Sequence, residues 1–272
     1  MRHALNGPVR IAFDEAGEGA PLLLIHGLAY DSRGWGPALG LLERRFRTIR
    51  FDNRGVGESD APRGPYSVRT LAGDALSVLD AAGVERAHVL GVSLGGLVAQ
   101  MLAAQHPARV DRLVLVGTTR GGIGSYGPPA PTLALFSQAP ALERDELLRR
   151  LVVNALAPAT VARRPELVDE VHAYRRECAP RLGPWLAQAA AGAWFGIVGC
   201  PAPIAAPTLV LHGAADTVVD PRNARLLATA IPEARVVVFE HAGHLLFWEE
   251  PERFAEVVAG FLDGVSEAPA AA

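Results

Sequence analysis

The chain contains no lysine, and all 26 of its Lys and Arg residues are arginine. Together with 29 acidic residues they give a net charge of −3, and they form no basic tract, so the charge pattern of a nucleic-acid-binding protein is missing. Cysteine is also scarce. The two cysteines, Cys178 and Cys200, are too few for a disulfide framework or a metal site. We therefore expect no nucleic-acid partner, no metal and no cofactor.

The sequence also lacks a long apolar run. No stretch of about 18 apolar residues is present, so we expect no membrane-spanning segment. The N-terminal residues lack the apolar centre of a signal peptide, which leads us to expect a cytoplasmic protein. Half of the 272 residues are hydrophobic, enough to form a sizeable core, and the oligomeric state stays open.

Short apolar segments alternate with amphipathic ones over most of the chain. The predicted strands cover residues 9–13, 21–25, 46–51, 84–92, 111–116, 207–211 and 235–239, and the predicted helices cover residues 32–44, 67–82, 97–106, 221–230 and 251–262. Such alternation predicts an α/β fold in which helices cover both faces of a mostly parallel sheet.

The alternation stops between residues 121 and 200. This stretch begins with many glycines and prolines and continues with helical patterns only, at residues 143–156, 165–178 and 184–195. We therefore expect a core made of residues 1–120 and 201–272, with residues 121–200 inserted as a helical cap. The small residues 266–272 at the end of the chain are expected to fray.

One glycine-rich turn organises the rest of the chain. Residues 91–96 (GVSLGG) follow a predicted strand and precede a predicted helix, which places Ser93 on a sharp turn. A G-x-S-x-G sequence in this setting is typical of a nucleophile elbow, because its glycines let neighbouring backbone approach closely. A pattern that specifies only three of five positions also occurs by chance, so it needs support from other parts of the sequence.

That support comes from the ends of two later strands. A serine hydroxyl needs a base, and the base needs a carboxylate that orients it. Asp216 follows one predicted strand and His244 follows another, with Asp220 and His241 as the nearby alternatives. We favour Asp216 because it lies closer to the end of its strand, and His244 because its Gly-His pattern resembles that of the α/β-hydrolases. The chain order Ser, Asp, His is also that of this family.

Five spaced motifs now resemble the capped α/β-hydrolase fold family. They are His26-Gly27, residues 52–59 (DNRGVGES), the GVSLGG turn, residues 211–216 (LHGAAD) and residues 243–246 (GHLL). The resemblance covers nearly the whole chain and implies an eight-stranded, mostly parallel sheet. Within the family, residues 52–100 are especially similar to 3-oxoadipate enol-lactonases and small carboxylesterases, and also to cofactor-free haloperoxidase-type hydrolases and carbon–carbon hydrolases.

The resemblance also implies an activity. It implies a serine hydrolase that cleaves a small ester or lactone through an acyl-enzyme on Ser93, with His244 as base and Asp216 as its orienter. The implied oxyanion donors are the backbone N–H groups of Leu28 and Leu94. Carbon–carbon hydrolysis, perhydrolase or haloperoxidase-type activity and a non-enzymatic receptor on the same fold remain open alternatives.

Other polar residues near these motifs are expected to be structural. We assign Asp52 and Arg54 to buttressing, and His26 and His212 to binding backbone groups near the site. The predicted pocket is apolar and is lined by Tyr30, Trp35, Phe136, Trp194, Phe195 and Leu245. The cap arginines are expected to be solvated; they are Arg149, Arg150, Arg163, Arg164, Arg175, Arg176 and Arg181.

Overall fold

A computed structural model describes residues 1–264 and contains one eight-stranded sheet. The strands are β1 (Arg2–Asn6), β2 (Val9–Ala16), β3 (Ala20–Ile25), β4 (Phe46–Phe51), β5 (Ala87–Val92), β6 (Val110–Val116), β7 (Thr208–Gly213) and β8 (Arg235–Phe239). Their order across the sheet is β1-β2-β4-β3-β5-β6-β7-β8. Strand β2 runs opposite to the other seven strands, and all pairs that do not include β2 are parallel. The predicted fold class is therefore confirmed.

Eleven α-helices accompany the sheet within residues 1–264. They are α1 (Pro37–Glu43), α2 (Val68–Ala81), α3 (Leu94–Gln105), α4 (Ala130–Gln138), α5 (Arg144–Ala155), α6 (Pro158–Arg163), α7 (Pro165–Cys178), α8 (Leu182–Val198), α9 (Arg222–Ala230), α10 (Leu246–Glu249) and α11 (Pro251–Leu262). None of these helices is both long and apolar enough to cross a membrane.

The helices bury both faces of the sheet. Side chains of a strand alternate between faces, and in β3 Leu23 and Ile25 enter one apolar cluster while Leu22 and Leu24 enter another. Helices α2, α3 and α9 contribute to the first cluster, and α1, α10 and α11 contribute to the second. Burial on both faces explains why the central strands are continuously apolar.

Strand register brings the candidate motifs to one edge of the sheet. Ile25 at the end of β3 pairs with Gly91 on β5, and Val92 pairs with Val116 on β6. Val116 in turn pairs with Leu211 on β7. The loops that follow these four strands therefore emerge side by side, as parallel strands require.

Several elements differ from the sequence-based prediction, which did not include helices α4, α6 and α10. Strand β1 was not anticipated, because it lies at the sheet edge and buries only Ala4 of its five residues. Helix α1 begins at Pro37 rather than at residue 32 because Gly36, directly before it, has φ +53 and packs against the Trp248 ring. Residues 266–272, predicted to fray, lie outside the described part of the chain.

Helices α4 to α8 lie between β6 and β7 along the chain, and we call them the helical segment (residues 130–198). Side chains of α8 join the first apolar cluster, whereas those of α5 and α7 join the second. The segment therefore packs onto the core in two places rather than forming a separate core of its own.

Candidate active site

Ser93 lies between β5 and α3 in a backbone conformation that few side chains adopt. Its φ is +54° and its ψ is −118°. Its N–H donates to Val116 O at 2.9 Å, and its carbonyl accepts from Thr118 Oγ1 at 2.9 Å. Such strain persists only where the surroundings over-determine it. Here the end of β6 and the residues directly after it hold the turn.

The glycines of the turn are required by space. A Cβ on Gly95 would lie 2.0 Å from Ile25 O and 2.7 Å from His26 O, and one on Gly91 would lie 2.3 Å from Gly95 O. Gly27 faces Ser93 from β3's side, since a Cβ there would lie 3.2 Å from Ser93 Cβ. The motif therefore allows three backbone segments to meet around one hydroxyl-bearing residue.

His244 and Asp216 form a hydrogen-bonded pair beside this turn. His244 Nδ1 lies 2.8 Å from Asp216 Oδ2, and it donates this hydrogen bond because an ionised carboxylate can only accept. Asp216 Oδ1 accepts from the backbone N–H groups of Val218 at 2.8 Å and Val219 at 2.9 Å. Burial acts to raise the pKa of Asp216, but the charges and hydrogen bonds of His244 and His212 outweigh it and hold that pKa well below its usual range.

His212 contacts the same carboxylate. Its Nε2 lies 3.1 Å from Asp216 Oδ2 and 3.1 Å from Val219 O, so this nitrogen carries a proton and faces two acceptors. The sequence suggested only backbone contacts for His212, whereas it also binds the acidic partner of His244. The two alternatives lie elsewhere, because Asp220 is paired with Arg222 and His241 is exposed.

The His244 loop is tied to the helical segment. His244 N–H donates to Ala155 O at 2.8 Å, and Gly243 N–H donates to Glu249 Oε1 at 2.7 Å. Glu249 Oε2 also accepts from Ala157 N–H at 3.0 Å. Burial raises the pKa of this carboxyl. Glu249 therefore links the loop to the residues between α5 and α6.

The residues after β3 form a turn from Gly27 to Tyr30, which we call the β3 turn. Tyr30 N–H donates to Gly27 O at 3.4 Å, and Ala29 has φ +64°. His26, directly before it, is buried and stacks on Tyr30 with ring centroids 4.6 Å apart. Burial lowers the pKa of His26 to about 3, so its imidazole is neutral.

Asp52 and Arg54 both lie off the cavity. Asp52 accepts from the backbone N–H groups of Ser32 and Glu58, each at 2.8 Å, and burial raises its pKa. Arg54 forms a buried ion pair with Asp74. These contacts tie the loop after β4 to its neighbours, which is a supporting arrangement.

Ser93, His244 and Leu28 line one cavity of about 130 Å³. Of the predicted lining residues, Tyr30, Phe136 and Leu245 are on it. Trp35 is not, because its fully buried ring packs between His26 and Phe247.

Trp194 and Phe195 are also absent from the cavity wall. Trp194 is 64% exposed, whereas Phe195 is 2% exposed and packs into the first apolar cluster. Adjacent helical residues point about 100° apart, and in α8 neither direction faces the cavity. Aromatic content alone therefore did not identify the wall.

The wall includes polar residues that sequence reasoning missed. Asn154 and Thr132 line it and are joined by a 2.8 Å hydrogen bond. Arg175 also lines it and is only 4% exposed, so the expectation of a solvated side chain is wrong for this arginine. The other six cap arginines are exposed. A run of paired arginines gives no signal for which member points inward.

Known proteins are similar to this chain over most of its length. A family model described as "alpha/beta hydrolase fold" matches residues 20–167 and 132–251. The chain is 30% identical to a pimeloyl-[acyl-carrier protein] methyl ester esterase of Aeromonas hydrophila subsp. hydrophila over 260 residues, covering 93% of this chain and 99% of that protein. The resemblance inferred from the five motifs is thereby confirmed.

Solved structures show the same likeness. An esterase from Rhodococcus sp. ECU1013 is 30% identical and superposes with a TM-score of 0.82, covering 97% of this chain and 99% of that one. The enol-lactonase from Burkholderia xenovorans LB400 is 27% identical with a TM-score of 0.81, covering 96% and 100%.

Proposed function

The chain belongs to the α/β-hydrolase fold family, and on that premise we propose that it is a serine hydrolase that cleaves small carboxylic esters or lactones. The observation that carries the proposal is the His244–Asp216 pair, 2.8 Å apart, with His244 and Ser93 on the wall of one cavity. The esterase and enol-lactonase relatives support the choice of bond.

The first half-reaction forms an acyl-enzyme. Ser93 Oγ attacks the substrate carbonyl carbon while His244 Nε2 accepts the hydroxyl proton. The negative charge that develops on the carbonyl oxygen is held by the N–H groups of Leu28 and Leu94. Leu94 is the first residue of α3, where a backbone N–H has no acceptor within the helix. The carbon–oxygen bond to the leaving alcohol then breaks, and the alcohol takes the proton from His244.

The second half-reaction restores the enzyme. His244 removes a proton from water, the hydroxide adds to the acyl carbon, and the same two N–H groups hold the second oxyanion. Ser93 leaves with the proton from His244, and the carboxylic acid is released. Asp216 stays ionised throughout and stabilises the imidazolium.

The helical segment would act as a cap over this chemistry, with residues 121–200 inserted in a core made of residues 1–120 and 201 onward. It contributes much of the cavity wall, including Phe136, Asn154 and Trp185. A cavity of about 130 Å³ with mainly apolar walls suits a small or medium acyl group without a large polar substituent.

Turnover of a panel of short esters, lactones and thioesters tests the proposal. We expect Ser93→Ala to lower kcat/KM on the best substrate by about 10³-fold or more. Ser137→Ala is the matched control, because Ser137 is an exposed serine of α4, and it should stay within twofold of wild type.

A fluorophosphonate provides a second measurement that does not depend on the choice of substrate. It should add mass to the peptide that contains Ser93 in wild type and not in Ser93→Ala. Wild-type turnover no faster than that of Ser93→Ala, together with no labelling, would contradict the proposal. Carbon–carbon substrates in the same panel then distinguish the alternative activity.

A further inference from the structure

The β3 turn holds Ala29 in a conformation that an alanine disfavours. Its φ of +64° is in the left-handed region, where a Cβ crowds the backbone. The only hydrogen bond within the turn, from Tyr30 N–H to Gly27 O, is long at 3.4 Å. Gly27 N–H also donates to His26 Nδ1 at 2.7 Å, at the start of the turn. The peptide groups of Ala29 are bound by two side chains, and both come from the cap.

Gln188 on α8 is the first partner. Its Oε1 accepts from Ala29 N–H at 3.0 Å, and its Nε2 donates to Arg54 O at 2.9 Å. The side chain is fully buried, so both of its polar ends are used in the interior. Gln188 is also the one polar side chain in an otherwise apolar helix, a placement that is costly unless both ends are hydrogen-bonded.

Arg175 on α7 is the second partner. Its Nη1 donates to Ala29 O, and its guanidinium lies over the Tyr30 ring at 4.0 Å from the centroid. Within residues 1–264, no carboxylate lies within 4.0 Å of this nearly buried cation. Arg175 therefore binds the β3 turn and does not form an ion pair with a carboxylate of the described residues.

These contacts fix three successive peptide planes. The Gly27–Leu28 plane carries the Leu28 N–H and is held through Gly27 O by Tyr30. The Leu28–Ala29 plane is held by Gln188, and the Ala29–Tyr30 plane by Arg175. Because a peptide plane can rotate only if its neighbours adjust, fixing the second and third planes limits the direction of the Leu28 N–H.

We propose that Gln188 and Arg175 are positioning residues that aim the Leu28 N–H at the oxyanion, so that the cap completes the oxyanion hole. This inference rests on the proposed serine-hydrolase function. It differs from the usual role of a cap as a substrate filter, because it makes the cap part of the machinery that stabilises the transition state.

The variant Gln188→Met tests the proposal with little change in side-chain volume. Loss of an entire oxyanion donor lowers kcat by about 10²- to 10³-fold in other hydrolases, so a misdirected donor should lower kcat/KM by about 10- to 100-fold. A boronic acid, whose tetrahedral adduct with Ser93 places an oxygen in the hole, should lose affinity by a similar factor. An ether analogue of the ester forms no oxyanion, and its affinity should stay within threefold.

Gln138→Met is the matched control. Gln138 is an exposed glutamine of the same cap, and its Oε1 accepts only from Arg150, at 3.0 Å. This variant should stay within twofold of wild type in all three measurements. A merely structural role for Gln188 would lower the melting temperature and weaken both inhibitors equally.

Arg175→Met keeps the test decisive if Gln188→Met does not fold, with the exposed neighbour Arg176→Met as its control. Because Arg175 also lines the cavity, the measurement for this variant is the ratio of boronic-acid to ether affinity, which should fall by the same factor as in Gln188→Met. If wild type shows Ser93-dependent turnover but folded Gln188→Met and Arg175→Met keep boronic-acid affinity within threefold, the positioning role is overturned while the proposed function stands. If turnover does not depend on Ser93, the proposed function fails first.

Discussion

The GVSLGG turn at Ser93, which we call the serine turn, and the β3 turn each contain a residue with a strained, positive φ. Different parts of the molecule hold the two turns. Ser93 has φ +54° and Ala29 has φ +64°, and neither is a glycine. The serine turn is held by Val116 and Thr118, which belong to the sheet and its immediate continuation. The β3 turn is held by Gln188 and Arg175, which belong to the helical segment.

This difference separates two requirements of the proposed chemistry. The nucleophile's position depends on close backbone packing that forms with the sheet itself. The proposed oxyanion donor at Leu28 would depend on helices that lie more than 140 residues further along the chain. Strain at Ser93 is held by the same packing that stabilises the sheet, whereas strain in the β3 turn is held by contacts from the helical segment.

The largest expected effect comes from breaking the serine turn with Gly95→Ala. The added Cβ would lie 2.0 Å from Ile25 O, and backbone cannot move aside as a flexible side chain can. We expect activity to fall by more than about 100-fold and the unfolding free energy to fall by about 2 kcal/mol or more. Activity assays and chemical denaturation measure the two changes.

Gly196→Ala provides the matched control for this substitution. Gly196 lies within α8, and a Cβ there meets no atom within 4 Å. The exchange should leave activity unchanged and stabilise the helix by about 0.5–1 kcal/mol. Near-wild-type activity and stability of Gly95→Ala would show that the serine turn is not locked by core packing.

Lowering the pH from about 6.5 should reduce the stability of the protein through His26, which lies directly before the β3 turn, and not through the serine turn. His26 has a pKa lowered from 6.5 to about 3, so the unfolded chain binds a proton below pH 6.5 that the folded protein does not. Stability should therefore fall as the pH drops from about 6.5 towards 3, with a slope of up to about 1.4 kcal/mol per pH unit from this group.

Denaturation midpoints of wild type and His26→Phe across this pH range measure the effect. The phenylalanine should reduce the slope between pH 6 and 4, because it binds no proton while keeping an aromatic ring beside Tyr30, Trp35 and Phe247. It also removes the Nδ1 that accepts from Gly27 N–H at 2.7 Å, so the slopes are compared and not the absolute stabilities. The exposed His241→Phe serves as control. Identical slopes for wild type and His26→Phe would remove His26 as the cause.

Asp216 contributes in a different pH window. Its folded pKa is depressed, so its stabilising contribution is present above its unfolded value near 4 and is lost only as the pH falls below that value. Because an unfolded aspartate binds protons only below about pH 5, a slope that remains in His26→Phe above pH 5 comes from groups other than Asp216.

The smallest expected effect comes from Ala29→Gly in the β3 turn. Glycine adopts φ +64° without the cost of about 1 kcal/mol that alanine bears, but it also gives the unfolded chain about 0.4–1 kcal/mol more conformational freedom. These two terms nearly cancel, but the exchange also removes a fully buried methyl group, which costs about 0.8 kcal/mol. Stability should therefore fall by about 1 kcal/mol, while kcat/KM should stay close to wild type. A loss of activity above tenfold would mean that the methyl group itself is needed.

Sequence patterns were most reliable where a residue's role depends on its neighbours along the chain. The apolar runs of the central strands predicted the parallel sheet, and the GVSLGG turn placed Ser93 between a strand and a helix. They were least reliable for the cavity wall. Trp35 and Trp194 carry the same apolar signal as Phe136, yet one is in the core and one in solvent.

Gln188 illustrates a signal that was present but unused. It is the one polar side chain within the apolar helix Leu182–Val198, which alone suggests a buried polar partner. The pattern could not identify that partner, because Ala29 lies 159 residues away along the chain.

By itself, the sequence determined the fold class, the family and the elements that carry Ser93, Asp216 and His244. These follow from periodicity and from motifs whose residues are neighbours along the chain. Only the tertiary structure decided which cap residues face the cavity and which hold the β3 turn. Those contacts depend on how helices pack across the end of the sheet, and a helix's own periodicity does not specify which neighbour each polar side chain meets.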